Sequence, residues 1–245
     1  MRSVIVLCMI WGFLACTVWA APLTDYSPGS LALDVSLRTV ENESDHAGGT
    51  HNTYGARSGL DFGATLGLGG RWALQYRGLN AKSQDLFFSE TADGEMINPV
   101  YESFTGRMRL KTDEVSLLYR WNQYYSLFAG SVSAKAWFPS AFTYRDPFDS
   151  QDDVYLSETM STRTKTTAQF GVIGSMPLAS KLTGYASLGV GKDVASWGVG
   201  ISYRVTRDMD FNLDYRKLTV KGLRLEDAKI EAETGGMGFG VTWRL

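Results

Sequence analysis

The chain has 245 residues, with 24 Lys+Arg against 26 Asp+Glu and a formal net charge of −2. That balance excludes the basic surface that nucleic-acid binding requires, so no nucleic-acid partner is expected. Its two cysteines, Cys8 and Cys16, both stand among the first twenty residues, which leaves the rest of the chain without a disulfide or a thiolate for metal binding or catalysis.

The N-terminal residues read as an address. Arg2 gives a positive start, Val4 to Leu14 is apolar, and Val18 and Ala20 occupy the two positions a signal peptidase reads. This is the pattern of a secretory signal peptide cleaved after Ala20. The apolar run is short of the roughly 20 residues a transmembrane helix needs. A lipoprotein signal at Cys16 fits poorly, because Phe13 stands where such signals usually carry Leu. The expected division is therefore a signal peptide over 1–20 and one folded unit over 21–245. Removing Arg2 with the signal leaves 23 Lys+Arg against 26 Asp+Glu, a net charge of −3. No later apolar run is long enough to cross a bilayer as a helix.

Period-two alternation begins soon after. Leu31, Leu33, Val35 and Leu37 alternate with Asp34, Ser36 and Arg38. Leu60, Phe62, Ala64, Leu66 and Leu68 make a second apolar row, and Trp72, Leu74 and Tyr76 a third. Val115, Leu117, Tyr119 and Trp121 form the fourth; a fifth strand over 124–134 is ambiguous in phase, because both its rows carry aromatics. Ala168 to Met176, Leu182 to Val190, Trp197 to Tyr203, Phe211 to Tyr215 and Met237 to Leu245 complete ten strands. Successive side chains on a strand point to opposite faces, so each segment has one apolar and one polar or small face. Each is close to the roughly 9–11 residues a tilted membrane strand needs.

The connections alternate as well. Gly69-Gly70, Asn122-Gln123, Pro177 to Lys181 and Thr206 to Asp208 read as tight turns. Glu41 to Arg57, Ala81 to Thr105, Lys135 to Thr164 and Val220 to Ala232 read as long loops, with Lys192-Asp193 a short exception. Short turns at one end and long loops at the other are the outer-membrane arrangement. Trp72, Tyr119, Trp121, Tyr125, Tyr203, Phe211 and Trp243 fall near the short turns or the C-terminus. They predict an aromatic girdle at the periplasmic boundary. A soluble β-sandwich or lipocalin-like barrel would also alternate, but its apolar row faces inward, and nothing gathers its aromatics at one end.

Gly240, Trp243 and Leu245 in the last strand resemble the C-terminal signal that the barrel-assembly machinery reads, with Leu where Phe or Trp is commoner. Over 21–245 the chain resembles the small outer-membrane β-barrels, OmpA-like and OmpX-like. That resemblance implies an all-β fold, a single antiparallel barrel embedded in outer-membrane lipid, with the assembly machinery as a partner. It leaves no room for the peptidoglycan-binding domain that follows the barrel in full OmpA proteins. It says little about function.

The row opposite the apolar one places Asp34, Arg38, Asp61, Arg77, Asp214 and Arg216 in the lumen, with Arg71, Arg120, Arg204, Asp210 and Arg244 nearer the periplasmic end. Mixed acid and base inside a barrel either fill it as salt bridges or form a narrow selective constriction. A structural or narrow porin-like role is therefore expected, with surface adhesion or ligand capture through long loops as the first alternative and a membrane enzyme as the last. The two histidines, His46 and His51, lie in a segment read as a flexible polar loop beside Asp45 and Thr50, and no catalytic role is expected of them. Asp146, Asp149, Asp152 and Asp153 match no calcium-loop spacing and read as a solvated loop; no metal or other cofactor is expected. Phe138, Phe142, Tyr144, Phe148 and Tyr155 in the same region suggest packing on the barrel top or a contact surface.

Overall fold

The computed structural model describes residues 26–46, 51–84, 86–92, 100–145, 154–226 and 228–245; the expected signal peptide lies outside them. Within these residues the chain forms only strands: β1 (Leu31–His46), β2 (His51–Gly69), β3 (Trp72–Lys82), β4 (Leu86–Ala92), β5 (Val100–Gly106), β6 (Arg109–Arg120), β7 (Tyr125–Arg145), β8 (Val154–Ser161), β9 (Lys165–Ala179), β10 (Leu182–Gly191), β11 (Val194–Arg204), β12 (Met209–Leu225) and β13 (Ala228–Arg244). Ten of them close a ring in the order β9-β10-β11-β12-β13-β1-β2-β3-β6-β7, with β7 returning to β9. Every pairing is antiparallel, so the fold is the expected ten-strand barrel. Its seam joins β1 to β13 from Ala32↔Arg244 to His46↔Ile230. The other three strands rise beyond the ring. β4 pairs with β5, and β5 and β8 flank the outer half of β7.

The tight turns fall at one end. Gly69 and Gly70 adopt φ of 96° and 62°, a left-handed conformation that glycine takes without steric cost. β9 runs to Ala179, so Pro177 pairs with Thr183 and the turn narrows to Ser180-Lys181. Pro177 lies past the last rung joining β9 to β7, Tyr125↔Gly174, where a missing N–H breaks no bond on that side.

The long loops are the main correction. Much of the segment from Glu41 to Arg57 is strand, with β1 reaching His46 and Asp45 paired to His51 on β2. Much of the second expected loop is β4 and β5, and the third is largely the far half of β7 together with β8. Between Val220 and Ala232, β12 and β13 continue to Leu225 and from Ala228.

The reason is an exchange of faces. On β12, Phe211 and Leu213 face outward over Asp210, Asn212, Asp214 and Arg216; farther along, Lys217, Thr219 and Lys221 face outward over buried Leu218, Val220 and, past a bulge, Leu223. On β3, Trp72, Leu74 and Tyr76 cover Gln75 and Arg77, whereas Asn80 and Lys82 cover Leu79 and Ala81. β6 repeats the switch between Val115, above Glu114, and Lys111, above Leu110. Near the turns the barrel is apolar outside and polar inside. Farther out it is polar outside and apolar inside, as in a soluble barrel.

The interior therefore has three tiers. At the turn end, Tyr26 is buried with Ala73 and Leu118, and Phe128 and Ile173 pack against them. The segment before β1 holds Tyr26 there through Gly69 N–H to Tyr26 O at 2.9 Å and Gly29 N–H to Gly67 O at 3.0 Å. A polar tier follows. Above it, Val40, Leu79, Met108, Leu110, Val132, Phe138, Leu218 and Leu223 belong to one apolar cluster. The ambiguous fifth strand is β7. Tyr125 and Leu127 face outward, while Phe128 serves the lowest tier and Val132 and Ala134 the highest.

Candidate functional site

The expected lumenal residues meet in the middle tier. Asp34 and Arg38 come from β1, Asp61 from β2, Arg77 from β3, and Asp214 and Arg216 from β12. Arg38, only 2% exposed, donates from Nη2 to Asp61 at 3.2 Å and from Nη1 to the Gly236 carbonyl at 2.9 Å. The same guanidinium lies 2.6 Å from an Asp214 oxygen, a charge contact rather than an aligned hydrogen bond. Arg216 lies 3.9 Å from Asp61 and bonds Glu114. Arg77 sits among the carboxylates of Asp61, Glu114, Asp214 and Asp34. Asp34 differs from expectation, because its closest partner is the Thr242 hydroxyl, which donates to it, rather than an arginine.

Two members were not singled out in the sequence. Glu114 precedes the apolar row of its strand, and Tyr185 falls between Gly184 and Ala186; strand phase alone would have turned both inward. The Tyr185 hydroxyl donates to Asp214 at 3.3 Å. Four acids (Asp34, Asp61, Glu114, Asp214) thus face three arginines; Arg38 and Arg216 pair directly with Asp61, Asp214 and Glu114, while Arg77 is held by the surrounding negative charge and Asp34 by a hydroxyl. The space left among Asp34, Gln75, Arg77, Tyr185, Asn212 and Asp214 is a cavity of about 80 Å³, room for a few waters. Toward the turns, Arg244 pairs with Asp210, and the Arg120 guanidinium lies 4.2 Å from the Tyr26 ring centre, a cation–π distance. Tyr26 also donates to Ser126 at 2.8 Å.

The girdle residues Trp72, Trp121, Tyr203, Phe211 and Trp243 are exposed on the outer face, and Tyr119 is half-exposed. Trp72 and Tyr119 are cross-strand partners with ring centres 4.8 Å apart, and Tyr203 pairs with Phe211. In the last strand Trp243 and Leu245 point outward, whereas Gly240 faces the lumen against Ser36.

The remaining candidates do not converge. His46 pairs through its backbone with Ile230 and His51 with Asp45. Asp146, Asp149, Asp152, Asp153 and Phe148 lie outside the described residues. Among the described residues no group of three or more His, Cys, Asp or Glu could hold a metal ion. Phe138 is buried in the outer tier, Phe142 is half-buried, Tyr144 pairs with Val154, and Tyr155 is exposed.

The outward rows decide the solvent. Val35, Leu37, Phe62, Leu66, Leu74, Leu117, Phe170, Val199, Ile201, Leu213 and Phe239 are all exposed in one belt around the ring. Water would penalise such a belt, while a bilayer accommodates it, and an antiparallel closed barrel with an aromatic edge is the form outer membranes hold. The chain therefore has the fold of a membrane-spanning β-barrel, at this belt apolar toward its surroundings and polar within. No protein-family model matches it, and no curated protein sequence does. Among solved structures it is similar to the outer membrane protease OmpT of Escherichia coli, at 10% identity and TM-score 0.45, over 94% of this chain and 99% of that one. It is similar to the attachment invasion locus protein Ail of Yersinia pestis, at 12% identity and TM-score 0.39, over 87% and 99%. The toluene transporter TodX of Pseudomonas putida gives 8% identity and TM-score 0.35, over 89% and 90%. At these identities the likeness is one of barrel architecture and carries nothing about what this chain does.

Proposed function

We propose that this chain is a sealed, structural outer-membrane barrel with neither an open channel nor a catalytic site. The observation that carries this is the filled lumen, in which an apolar plug around Tyr26, the paired charges around Arg38 and the cluster around Leu110 and Phe138 follow one another along the axis. Of the two uses of lumenal charge, filling is favoured over ion selection. Export through the signal at 1–20 and assembly through Gly240, Trp243 and Leu245 belong to the same reading. The test is conductance. Reconstituted into planar bilayers, the folded chain should give no unitary current steps, and reproducible steps would overturn the reading.

A second reading has its own observation. Tyr155 and Leu156 on β8 are 69% and 61% exposed, beyond the lipid belt. Among the described residues β8 pairs with β7 alone, so its free edge and these two apolar side chains, one on each face, are open to a partner strand. Cells displaying the chain should then adhere to matrix-coated surfaces, and Tyr155→Ser with Leu156→Ser should abolish the adherence without changing the amount displayed.

A further inference from the structure

Above the belt, an open cleft of about 890 Å³ cuts into the barrel wall. It forms because β10 stops at Gly191 and β11 restarts at Val194, while β12 and the chain from β8 into β9 continue past them. Overhead, Arg163 N–H donates to the Arg224 carbonyl at 2.9 Å and bridges the gap. Six bases, Arg163, Lys165, Lys192, Lys221, Arg224 and Lys229, line the cleft against two carboxylates, Asp193 and Glu231. Those two are already engaged, Asp193 with Lys165 at 3.0 Å and Glu231 with Lys221 at 3.2 Å. Lys165 also donates to the Lys221 carbonyl at 2.7 Å, so it braces the floor. Arg163, Lys192, Arg224 and Lys229 are exposed, and among the described residues no carboxylate bonds them. At the same height β1 and β13 carry Glu41, Glu43 and Glu233 outward, so the basic face is confined to one sector.

Height selects the ligand. Phe170 pairs with Val190, and Trp197 pairs with Lys217, so the lipid belt ends directly below the cleft. A cleft opening sideways at that level meets the headgroup layer of the outer leaflet. Guanidinium forks and ammonium groups together match phosphate oxygens. We infer that this cleft binds the phosphate groups of an anionic outer-leaflet lipid headgroup. The inference rests on the outer-membrane reading above but not on the sealed lumen.

The experiment folds the full chain into neutral phosphatidylcholine nanodiscs containing either bisphosphorylated lipid A or its dephosphorylated form. The lipid retained after detergent extraction is counted by mass spectrometry. Wild type should retain the bisphosphorylated form, lose it as salt is raised, and ignore the dephosphorylated form. Replacing Arg163, Lys192, Arg224 and Lys229 together by Gln should lower retention at least tenfold. If that chain does not fold, K192Q/K229Q serves with a smaller drop. The heat-dependent gel shift of folded barrels separates a failed barrel from a failed site. Equal retention by folded variant and wild type overturns the inference. So does capture of soluble dextran sulfate through these residues with no retention of lipid A.

Discussion

Arg38→Met is the sharpest probe of the interior. The methionine keeps most of the stem volume but removes the guanidinium that faces Asp61 at 3.2 Å, Asp214 at 2.6 Å and the Gly236 carbonyl at 2.9 Å. Removing one partner of a buried ion pair costs about 3–5 kcal/mol, because the other charge stays buried. Compensation is partial here. Asp61 still has Arg216 at 3.9 Å, and Asp214 keeps the Tyr185 hydroxyl at 3.3 Å, so the lower end, about 3 kcal/mol, is expected. Adding Asp214→Asn returns the tier to one excess acid, as in the native chain, and should recover about half of that loss or more. The assay is reversible urea unfolding from lipid vesicles, followed by tryptophan emission as lipid-facing Trp72, Trp197 and Trp243 move into water. A single variant costing under about 1 kcal/mol, or a double variant costing the sum of its parts, would refute a coupled charge tier.

On the outer face, replacing Leu66, Leu74, Val199 or Leu213 by Arg should cost about 2–4 kcal/mol in bilayers, and unchanged unfolding free energies for all four would count against the lipid contact. A Cβ on Gly236 would stand 1.6 Å from the Thr39 carbonyl oxygen across the β1–β13 seam; Gly236→Ala should therefore leave the chain exported but without the heat-dependent gel shift, and a normal shift would show that the seam can yield. Deleting Trp243 to Leu245 removes the rungs to Leu33 and Ala32, the Leu245 N–H to Leu31 carbonyl bond at 2.8 Å and the partner of buried Asp210. The truncated chain should be degraded in the periplasm, and its recovery as a folded outer-membrane species would refute an assembly role for those residues.

Where lipid is the solvent, sequence and structure speak the same language. The apolar rows from Leu33 to Leu37, Phe62 to Leu68 and Phe211 to Leu213 are legible because one face must be apolar and the other polar, so phase follows from alternation. On the same phase Asp34, Arg38, Asp61, Arg77, Asp214 and Arg216 fall in the row opposite the apolar one. Glu114 is hard to read from alternation because it sits at the edge of its row, next to the point where the faces exchange. Beyond that point alternation persists with opposite sign, as in Lys217, Thr219 and Lys221 over Leu218 and Val220. Read with the membrane rule, such a stretch looks like the end of a strand, and so Val220 to Ala232 and Lys135 to Thr164 were expected as loops. The partner of Asp34 was illegible for another reason. Thr242 lies 208 positions away, and only the closing register brings them together.

The exchange of faces also explains the strand lengths. A tilted strand crosses a bilayer in about 9–11 residues, yet β2 has 19, β7 has 21, and β12 and β13 have 17 each. The surplus lies outside the lipid, where an apolar outer row would face water and the barrel could no longer be stabilised by contact with acyl chains. Two responses are available to the chain. It can stop and turn, as β10 and β11 do at Lys192-Asp193, or it can invert its pattern and bury the apolar row inward, as β12 and β13 do. Inversion converts the upper barrel into a small water-soluble core, held by Leu79, Leu110, Val132, Leu218 and Leu223. On the sealed-barrel reading the same step closes the lumen, because the row that lines it changes from charge to hydrocarbon. Leu110 and Leu117 on β6 therefore do opposite work: truncating Leu110 opens a cavity in a packed core, whereas truncating Leu117 removes only a contact with lipid that another acyl chain can fill. The short β10–β11 hairpin, by stopping instead, leaves the notch between β9 and β12 into which the basic side chains gather.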